Sequence, residues 1–261
     1  MLNSESIFVV CMKSAAFRHA ALGRRGRFLL FGAGVSLVGY FALATFAVQQ
    51  QFFALDYDTR AWVQTVRLEL FDLPMELVSR LGDNIGLIPM IAIGSVILWR
   101  VSRRWALALP VLMAGAGALQ WIAKWATDRP RPNLAPWGFP SGHVLSLVVF
   151  FGLMIYLILT ASKRRHRWGA LASLVCVVPV VVVAFSRLYL NKHWLSDVVG
   201  GLTAATAYLL LAIWLVEVIS ARHAPRSVES EGASRTPSVE AAADSHVGPT
   251  PQVGLGVGPP A

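Results

Sequence analysis

Two residues near the end of the apolar part of the chain, His193 and Asp197, have the types and the spacing of a catalytic pair. Residues four apart on a helical turn share a face, so the carboxylate can accept a hydrogen bond from one imidazole nitrogen. The other nitrogen then stays unprotonated and nucleophilic, which is the logic of a catalytic triad with histidine as the nucleophile. Asp197 also precedes an apolar run, which is typical of a helix N-cap, and one residue can fill both roles.

A second segment, Pro140-Ser141-Gly142-His143, stands immediately before another apolar run. A helix that begins here presents free backbone N–H groups and a partial positive charge, and Gly142 lets an anion approach the backbone closely. Taken singly, Ser141 is typical of an N-cap and His143 of a membrane interface. Together they favour a phosphate cradle with an acid beside it.

Cationic residues are concentrated in the short segments next to these two motifs, and they are Lys124, Arg129, Arg131, Arg187 and Lys192. A guanidinium offers a planar fork of donors that suits phosphate, and an ammonium supplies a point charge. Basic side chains at helix ends also snorkel to lipid headgroups, which explains one or two of the five. The cationic residues that snorkelling does not explain predict an anion-binding site.

The elements that must position these residues are membrane-spanning helices. The chain is 56% hydrophobic and 14% charged, far from the composition of a soluble domain of 261 residues. A span needs about 20 mostly apolar residues. Six stretches approach that length, and they are Phe28–Val48, Ile85–Trp99, Trp105–Ala123, Val144–Thr160, Trp168–Phe185 and Val198–Ile219. The second contains Pro89, which predicts a kink or a start nearer Leu81. The fold class is all-α, a six-span transmembrane helical bundle.

The short loops carry an orientation signal, because Lys and Arg accumulate on the cytoplasmic side of a membrane. With the N-terminus inside, most cationic residues fall in the inner segments, including Arg100 to Arg104 and Lys163 to Arg167. The chemical motifs then lie at the outer ends of spans. We expect an integral protein of a bacterial cytoplasmic membrane, with a site facing the periplasm or exterior. The net charge of +9 reflects this asymmetry and does not indicate nucleic-acid binding, since no basic stripe with interleaved aromatic residues stands on a soluble domain.

The segments around the spans divide the chain into three parts. Residues 1–27 are predicted to be a cytoplasmic tail, 28–220 the six-helix domain and 221–261 a disordered cytoplasmic tail, because the last part has almost no large apolar residues. Gln51 to Asp83 mixes apolar and charged residues at helical spacing, which predicts short amphipathic helices at the outer face, over the site. Cys11 in the tail and Cys176 in the fifth span are not expected to pair.

The motifs together closely resemble those of the type-2 phosphatidic acid phosphatase superfamily. Three signatures occur in the family's order: Lys124 with Arg131-Pro132, then Pro140-Ser141-Gly142-His143, then Ser186-Arg187 with His193 and Asp197. The doubled Arg129-Pro130-Arg131-Pro132 offers two candidates for the first arginine, and the spacing from Lys124 selects Arg131.

The resemblance implies a membrane phosphatase that works through a phosphohistidine without a metal ion or other cofactor. His193 would attack phosphorus, Asp197 would orient it, and His143 would protonate the leaving oxygen and then activate water. The residues that would hold the phosphate oxygens are Lys124, Arg131, Ser141, Gly142 and Arg187. No His/Cys or carboxylate cluster with metal-ligand spacing accompanies them in the sequence.

Three alternatives share parts of this pattern. A haloperoxidase holds vanadate in a similar site, but those relatives are soluble, so six spans argue against it. A lipid phosphotransferase would pass the phosphoryl group to an alcohol instead of water, and the sequence does not separate it from a hydrolase. A non-enzymatic anion-binding membrane protein would leave the pair of His193 and Asp197 without a purpose.

The expected substrate is a lipid phosphate or pyrophosphate in the bilayer, and the candidates include undecaprenyl pyrophosphate, phosphatidic acid and phosphatidylglycerol phosphate. The number of cations exceeds what one phosphate monoester needs. This excess predicts that undecaprenyl pyrophosphate is turned over at least as well as phosphatidic acid. The second phosphate would then contact Arg129 or Lys192.

Overall fold

A computed structural model of the chain describes residues 23–161 and 166–222, and every regular element within those ranges is helical. The α-helices are α1 (Arg24–Val48), α2 (Ala54–Thr65), α3 (Asp72–Ser79), α4 (Asn84–Val101), α5 (Arg103–Thr127), α6 (Gly142–Ala161), α7 (His166–Tyr189) and α8 (Leu195–Arg222). Short 3-10 turns at Glu69–Phe71 and Arg80–Gly82 precede and follow α3. The predicted all-α fold class is confirmed.

The predicted tails lie mostly outside the described residues. Residues 1–22, which include Cys11, and residues 223–261 are not among them, so the cytoplasmic N-terminal tail and the disordered C-terminal tail stay predictions. The basic residues at 163–165 also lie outside. The last helix reaches Arg222, just past the predicted start of the C-terminal tail.

Six helices, α1 and α4 to α8, are long and apolar enough to cross a membrane. Each contains one predicted span and continues for a few residues beyond it, because main-chain hydrogen bonding does not stop at the first charged side chain. Lys124 and Arg187 accordingly lie in the last turns of α5 and α7. For the second span the alternative start near Leu81 is wrong, since α4 begins at Asn84, and Pro89 lies inside it.

The outward faces of the spans are apolar. Phe31, Ile88, Val111 and Leu174 are examples of large hydrophobic side chains that remain exposed. A surface of this kind is unusual for a protein in water. It suits a bilayer, in which the helices satisfy their own backbone hydrogen bonds and hydrocarbon contacts the side chains. The chain is an integral membrane protein.

The core lies where α5, α6 and α8 meet, and it buries Leu109, Ala116, Leu147, Leu153 and Ala205. α1 packs along α8, α4 along α5, and α7 along α6. This packing leaves α6 and α8 as the most buried spans. The first turns of these two helices therefore stand on a rigid base, which matters because both begin at the chemical motifs.

The segment between α1 and α4 forms the two amphipathic helices predicted for it, α2 and α3. α2 packs against α7 and α8, α3 against α7, and the turn at Arg80–Gly82 against α4 and α6. Two of its polar residues, Asp56 and Ser79, are buried by these contacts. Residues 51–83, called the cover segment below, thus lie over one end of the bundle.

Candidate active site

A cavity of about 490 Å³ opens at the end of the bundle under the cover segment. Six of the eight predicted site residues line it, and they are Lys124, Arg131, Gly142, His143, Arg187 and His193. The other two, Ser141 and Asp197, are fully buried just behind the wall. Four separate parts of the sequence therefore converge on one small polar space, as the motifs predict.

His193 and Asp197 form the predicted pair, but not on the face of one helix. His193 precedes α8, which begins at Leu195, and Asp197 lies in the first turn. The imidazole Nδ1 is 3.5 Å from Asp197 Oδ2, and the same carboxylate oxygen accepts the N–H of Trp194 at 3.0 Å. Asp197 is therefore not the N-cap residue; its carboxylate folds back to hold both the start of α8 and the histidine.

The electrostatic surroundings of His193 favour an uncharged ring. Its side chain is almost completely buried, and Nδ1 has no partner with normal hydrogen-bond geometry. Burial lowers the pKa of His193 from its ordinary value of 6.5 to about 4, against the opposing effect of Asp197. At neutral pH the imidazole carries no positive charge, so a nitrogen lone pair is available for attack.

Arg129 supports Asp197 from behind. Its Nη1 donates to Asp197 Oδ1 at 2.9 Å and to Ser196 Oγ at 2.8 Å, while Nη2 donates to the Gln51 carbonyl oxygen at 2.7 Å. The guanidinium is only 1% exposed. The prediction that Arg129 contacts a second phosphate is wrong, because the guanidinium is buried, both of its terminal nitrogens donate to protein oxygens, and it does not line the cavity.

Asp56 of the cover segment completes this buried group. One carboxylate oxygen lies 3.5 Å from Arg129 Nη2, and the two oxygens accept the backbone N–H and the hydroxyl of Ser196, both at 2.8 Å. Sequence reasoning missed this carboxylate because it stands far along the chain from Ser196. Its one local signal is an acidic residue among apolar ones at the start of an amphipathic helix.

The segment Pro140-Ser141-Gly142-His143 begins a helix, α6, as its sequence predicts. Ser141 is the residue before the helix, its carbonyl oxygen accepts the N–H of Leu145 at 3.0 Å, and its own N–H donates to the Asp197 carbonyl oxygen at 2.9 Å. The hydroxyl of Ser141 is buried without a partner. At Gly142 a side chain would overlap Gln120, which explains the glycine. The first-turn N–H groups of α6 thus face an open polar space.

Three cations enter the cavity from three directions. Lys124 comes from the last turn of α5, Arg131 from the loop that follows it, and Arg187 from the last turn of α7. Arg187 is held by a hydrogen bond from Nη1 to Ser79 Oγ at 2.6 Å. Burial lowers the pKa of the Arg131 guanidinium. Positive groups gathered in a half-buried space are the arrangement that an anion stabilises.

His143 has a carboxylate neighbour that the motifs do not include. Its Nε2 is 2.8 Å from Asp83 Oδ1, and Asp83 is the last residue of the cover segment. Lys192, the other residue expected near a second phosphate, also lines the cavity and is half-buried. Within residues 23–161 and 166–222 no three His, Cys, Asp or Glu side chains form a group that could hold a metal ion.

Comparisons with known proteins identify the family of this chain. The model of the PAP2 superfamily matches residues 105–220. Phosphatidylglycerophosphatase B of Bacillus subtilis (strain 168) is 26% identical over 148 residues, which cover 54% of this chain and 70% of that protein. Putative undecaprenyl-diphosphatase YbjG of Escherichia coli (strain K12) is 30% identical over 150 residues, which cover 51% of this chain and 69% of that protein. The chain belongs to the PAP2 superfamily.

The fold agrees with that of a solved PAP2 protein. The crystal structure of a transmembrane PAP2 type phosphatidylglycerolphosphate phosphatase from Bacillus subtilis superposes with a TM-score of 0.62 at 20% identity. The superposition covers 72% of this chain and 98% of the other. The resemblance to the superfamily that the motifs indicate is thus confirmed, and so is the transmembrane helical fold.

The PAP2 match also separates two groups of residues at the site. All eight predicted site residues lie within 105–220, and Arg129 lies there with them. Asp56, Ser79 and Asp83 precede the matched region, yet they contact Arg129, Arg187 and His143 respectively. The PAP2 site of this chain is therefore completed by the cover segment.

Proposed function

We propose that this PAP2 protein hydrolyses a lipid phosphate or pyrophosphate through a phosphohistidine on His193, at the outer face of the membrane. One observation carries the proposal: a buried histidine, next to Asp197 and with its pKa lowered by burial, stands in a cavity with the three cations of the motifs. The relatives support the substrate class, since one is named for phosphatidylglycerophosphate and another, putatively, for undecaprenyl diphosphate.

In the first step, Nε2 of His193 gives its lone pair to phosphorus, and the bond from phosphorus to the leaving oxygen breaks. His143 transfers a proton to that oxygen, so a lipid alcohol departs, or a lipid monophosphate if the substrate is a pyrophosphate. The phosphoryl group remains on His193. Asp197 stabilises the positive charge that the ring acquires, in the way that the aspartate of a catalytic triad does.

In the second step, neutral His143 takes a proton from water while the water oxygen forms a bond to phosphorus. The bond between phosphorus and Nε2 breaks, and its electron pair returns to His193. Inorganic phosphate leaves, and both histidines are restored to their starting protonation states. Each proton given up by His143 in the first step is recovered in the second, so the cycle balances.

The phosphate oxygens would lie among Lys124, Arg131 and Arg187, with the first-turn N–H groups of α6 and the unpartnered Ser141 hydroxyl on the remaining side. Such a preorganised set stabilises the charge that shifts onto these oxygens in the transition state. The proposed mechanism uses no metal ion or other cofactor, because these groups supply the positive charge themselves.

The outer location is supported by the distribution of charge along the spans. Arg24, Arg25 and Arg27 lie in the first turn of α1, and Arg103 and Arg104 begin α5. These positions are at the opposite end of the bundle from the cavity, which lies where α5 ends. The rule that places Lys and Arg inside therefore puts the cavity outside.

The deciding experiment is phosphate release by His193→Ala in detergent, with insertion and yield of the membrane protein as the folding control. Loss of turnover at normal yield is expected, because the ring lies in the polar cavity and not between spans. An acid-labile, base-stable phosphoenzyme should accumulate in His143-substituted protein. Unchanged turnover in His193→Ala would contradict the mechanism, and transfer of phosphate to added alcohol in place of water would indicate a phosphotransferase.

A further inference from the structure

We infer that Asp83 is a positioning residue for His143, holding its ring and its positive charge so that the other nitrogen can protonate the leaving oxygen. The inference rests on the proposed function and adds a second histidine–carboxylate pair to it. Asp83 lies outside the PAP2-matched region, at the junction between the cover segment and α4.

Asp83 and the residue before it, Gly82, both lie close to His143. Asp83 Oδ1 is 2.8 Å from His143 Nε2, and that nitrogen is buried and makes no hydrogen bond of normal geometry to any group in the described part of the chain. The preceding residue, Gly82, packs so tightly against the imidazole that a Cβ there would lie 2.7 Å from His143 Cβ. The backbone at the end of the cover segment thus fixes where the carboxylate meets the ring.

Helix capping does not explain this side chain. Asp83 is the N-cap residue of α4, and its carbonyl oxygen accepts the N–H groups of Gly86 and Leu87 at 3.0 and 2.8 Å. An aspartate at this position normally accepts a hydrogen bond from the first turn with its side chain. Here the side chain makes no such bond. It turns to His143 instead.

Most of the charged groups around His143 are cations, which gives a carboxylate next to the ring a function. The cations that face it are Lys124 from α5, Arg131 from the loop after α5, Arg187 from α7 and Arg80 from the cover segment, with His193 as a further titratable group. Against them stand the carboxylates of Asp83 and Glu76. A leaving-group acid must carry a proton, which neighbouring cations oppose. A carboxylate 2.8 Å from the ring acts in the opposite direction and favours the protonated form.

The arrangement also indicates which ring nitrogen of His143 donates the proton. With Nε2 next to Asp83, the proton that reaches the leaving oxygen comes from Nδ1. In both histidines, then, one ring nitrogen faces a carboxylate and the other acts on the substrate. At His193 the carboxylate of Asp197 faces Nδ1, and Nε2 attacks phosphorus in the proposed mechanism. Loss of Asp83 should therefore affect proton donation and not attack on phosphorus.

The test compares two leaving groups in the same micelles. Phosphatidic acid has an alkoxide leaving group that needs a proton, and p-nitrophenyl phosphate has an aryloxide that departs without one. For Asp83→Asn we expect kcat on phosphatidic acid to fall by about 10- to 100-fold, a part of what general acid catalysis contributes, and kcat on the aryl substrate to change by less than about 3-fold. The alkaline limb of the pH profile for phosphatidic acid should move to lower pH.

Three controls make the result decisive. Asp83→Ser should behave like Asp83→Asn, because both residues are good N-caps and keep α4 intact. Asp58→Asn removes an exposed carboxylate of the cover segment that does not line the cavity, and it should leave the ratio of the two kcat values unchanged. In a His143→Gln background, Asp83→Asn should add no further loss on phosphatidic acid.

Equal loss on both substrates, no loss on either, or an unmoved alkaline limb overturns the inference while leaving the proposed function standing. The proposed function fails separately if His193→Ala retains turnover of the same two substrates. Thermal unfolding of each variant in detergent shows that the comparison is made between folded proteins.

Discussion

Arg129 and Asp197 are joined by a buried hydrogen bond of 2.9 Å, from the guanidinium Nη1 to the carboxylate oxygen that does not face His193. Each oxygen of Asp197 therefore has its own task, one toward the arginine and one toward the histidine. The carboxylate is held by Arg129 on one oxygen and by the Trp194 N–H on the other, and this presents Oδ2 to His193 Nδ1 at 3.5 Å.

The two arginines of the repeated Arg-Pro pair should respond differently to substitution. Arg129→Gln leaves Asp56 and Asp197 as buried carboxylates without their cation, a change that costs about 3–5 kcal/mol. We expect a lower unfolding temperature and a lower kcat. Arg131→Gln removes a cation that lines the cavity, so it should raise KM at a nearly normal unfolding temperature. Thermal unfolding and steady-state kinetics of both variants check this, and matching behaviour of the two would contradict it.

The acid limb of the pH profile should report His193. Burial lowers the pKa of His193 to about 4, so the ring is neutral and nucleophilic above that pH and protonated below it. Activity should hold as pH falls through 6 and decline only near 4, whereas an unperturbed histidine would lose activity near 6.5. In Asp197→Asn the remaining activity should persist to lower pH, because the carboxylate raises the pKa that burial lowers. The measurement is kcat/KM against pH, and a decline centred near 6.5 would speak against a buried neutral nucleophile.

Chelators and phosphate analogues should separate this site from a metallophosphatase. EDTA should leave activity intact, because Lys124, Arg131 and Arg187 provide the charge that a metal ion otherwise provides. Vanadate should inhibit competitively, since it mimics phosphorus during transfer. Arg187→Gln should weaken vanadate inhibition more than Lys163→Gln, a substitution in a segment that is predicted to be cytoplasmic. Loss of activity in EDTA that magnesium restores would point to another mechanism.

Topology can be tested with reporters in loops. A tag near Asn133 should report the outside, and tags at Ala261 and between Lys163 and Arg167 should report the cytoplasm. Labelling of single-cysteine variants with a membrane-impermeant maleimide is an independent measurement, with Cys11 and Cys176 first replaced by serine and alanine. The reversed pattern would move the cavity to the inner leaflet and exclude lipids that are presented only outside.

Substrate choice should depend on Lys192 and not on Arg129. Lys192 lines the cavity beside His193, so it is placed to meet a second phosphate, whereas Arg129 is buried behind Asp197. We expect undecaprenyl pyrophosphate to be turned over at least as well as phosphatidic acid, and Lys192→Ala to lower kcat/KM for the pyrophosphate selectively. Both lipids are compared in the same micelles. A clear preference for phosphatidic acid, together with no selective effect of Lys192→Ala, would refute the pyrophosphate preference alone.

The spans and the cavity wall could be predicted from sequence because their signals are local. A run of about 20 apolar residues is visible in one window. The motif residues His143, Arg187 and His193 stand at helix ends, where spacing and residue type together indicate an anion site. The structure brings these residues to one cavity, as the motifs predict.

The supporting carboxylates could not be predicted, because their partners are remote. Asp56 meets Ser196 across 140 positions of the chain, and that contact depends on how α2 packs on α7 and α8. Asp83 looks like an ordinary N-cap until its side chain is seen to turn away from α4. The spacing from Lys124 separates Arg131 from Arg129, but only the structure shows that Arg129 is buried against Asp197.

The cover segment has a consequence for any attempt to transplant this chemistry. It places Asp56 behind one histidine and Asp83 against the other, although it lies wholly before the stretch that the superfamily shares. A chimera that moved only residues 105–220 onto another membrane scaffold would carry both histidines without Asp83, and would carry Arg129 and Ser196 without Asp56. The smallest portable unit therefore includes α1 and α4 as well as the cover segment, because the cover segment is joined to a span at each end.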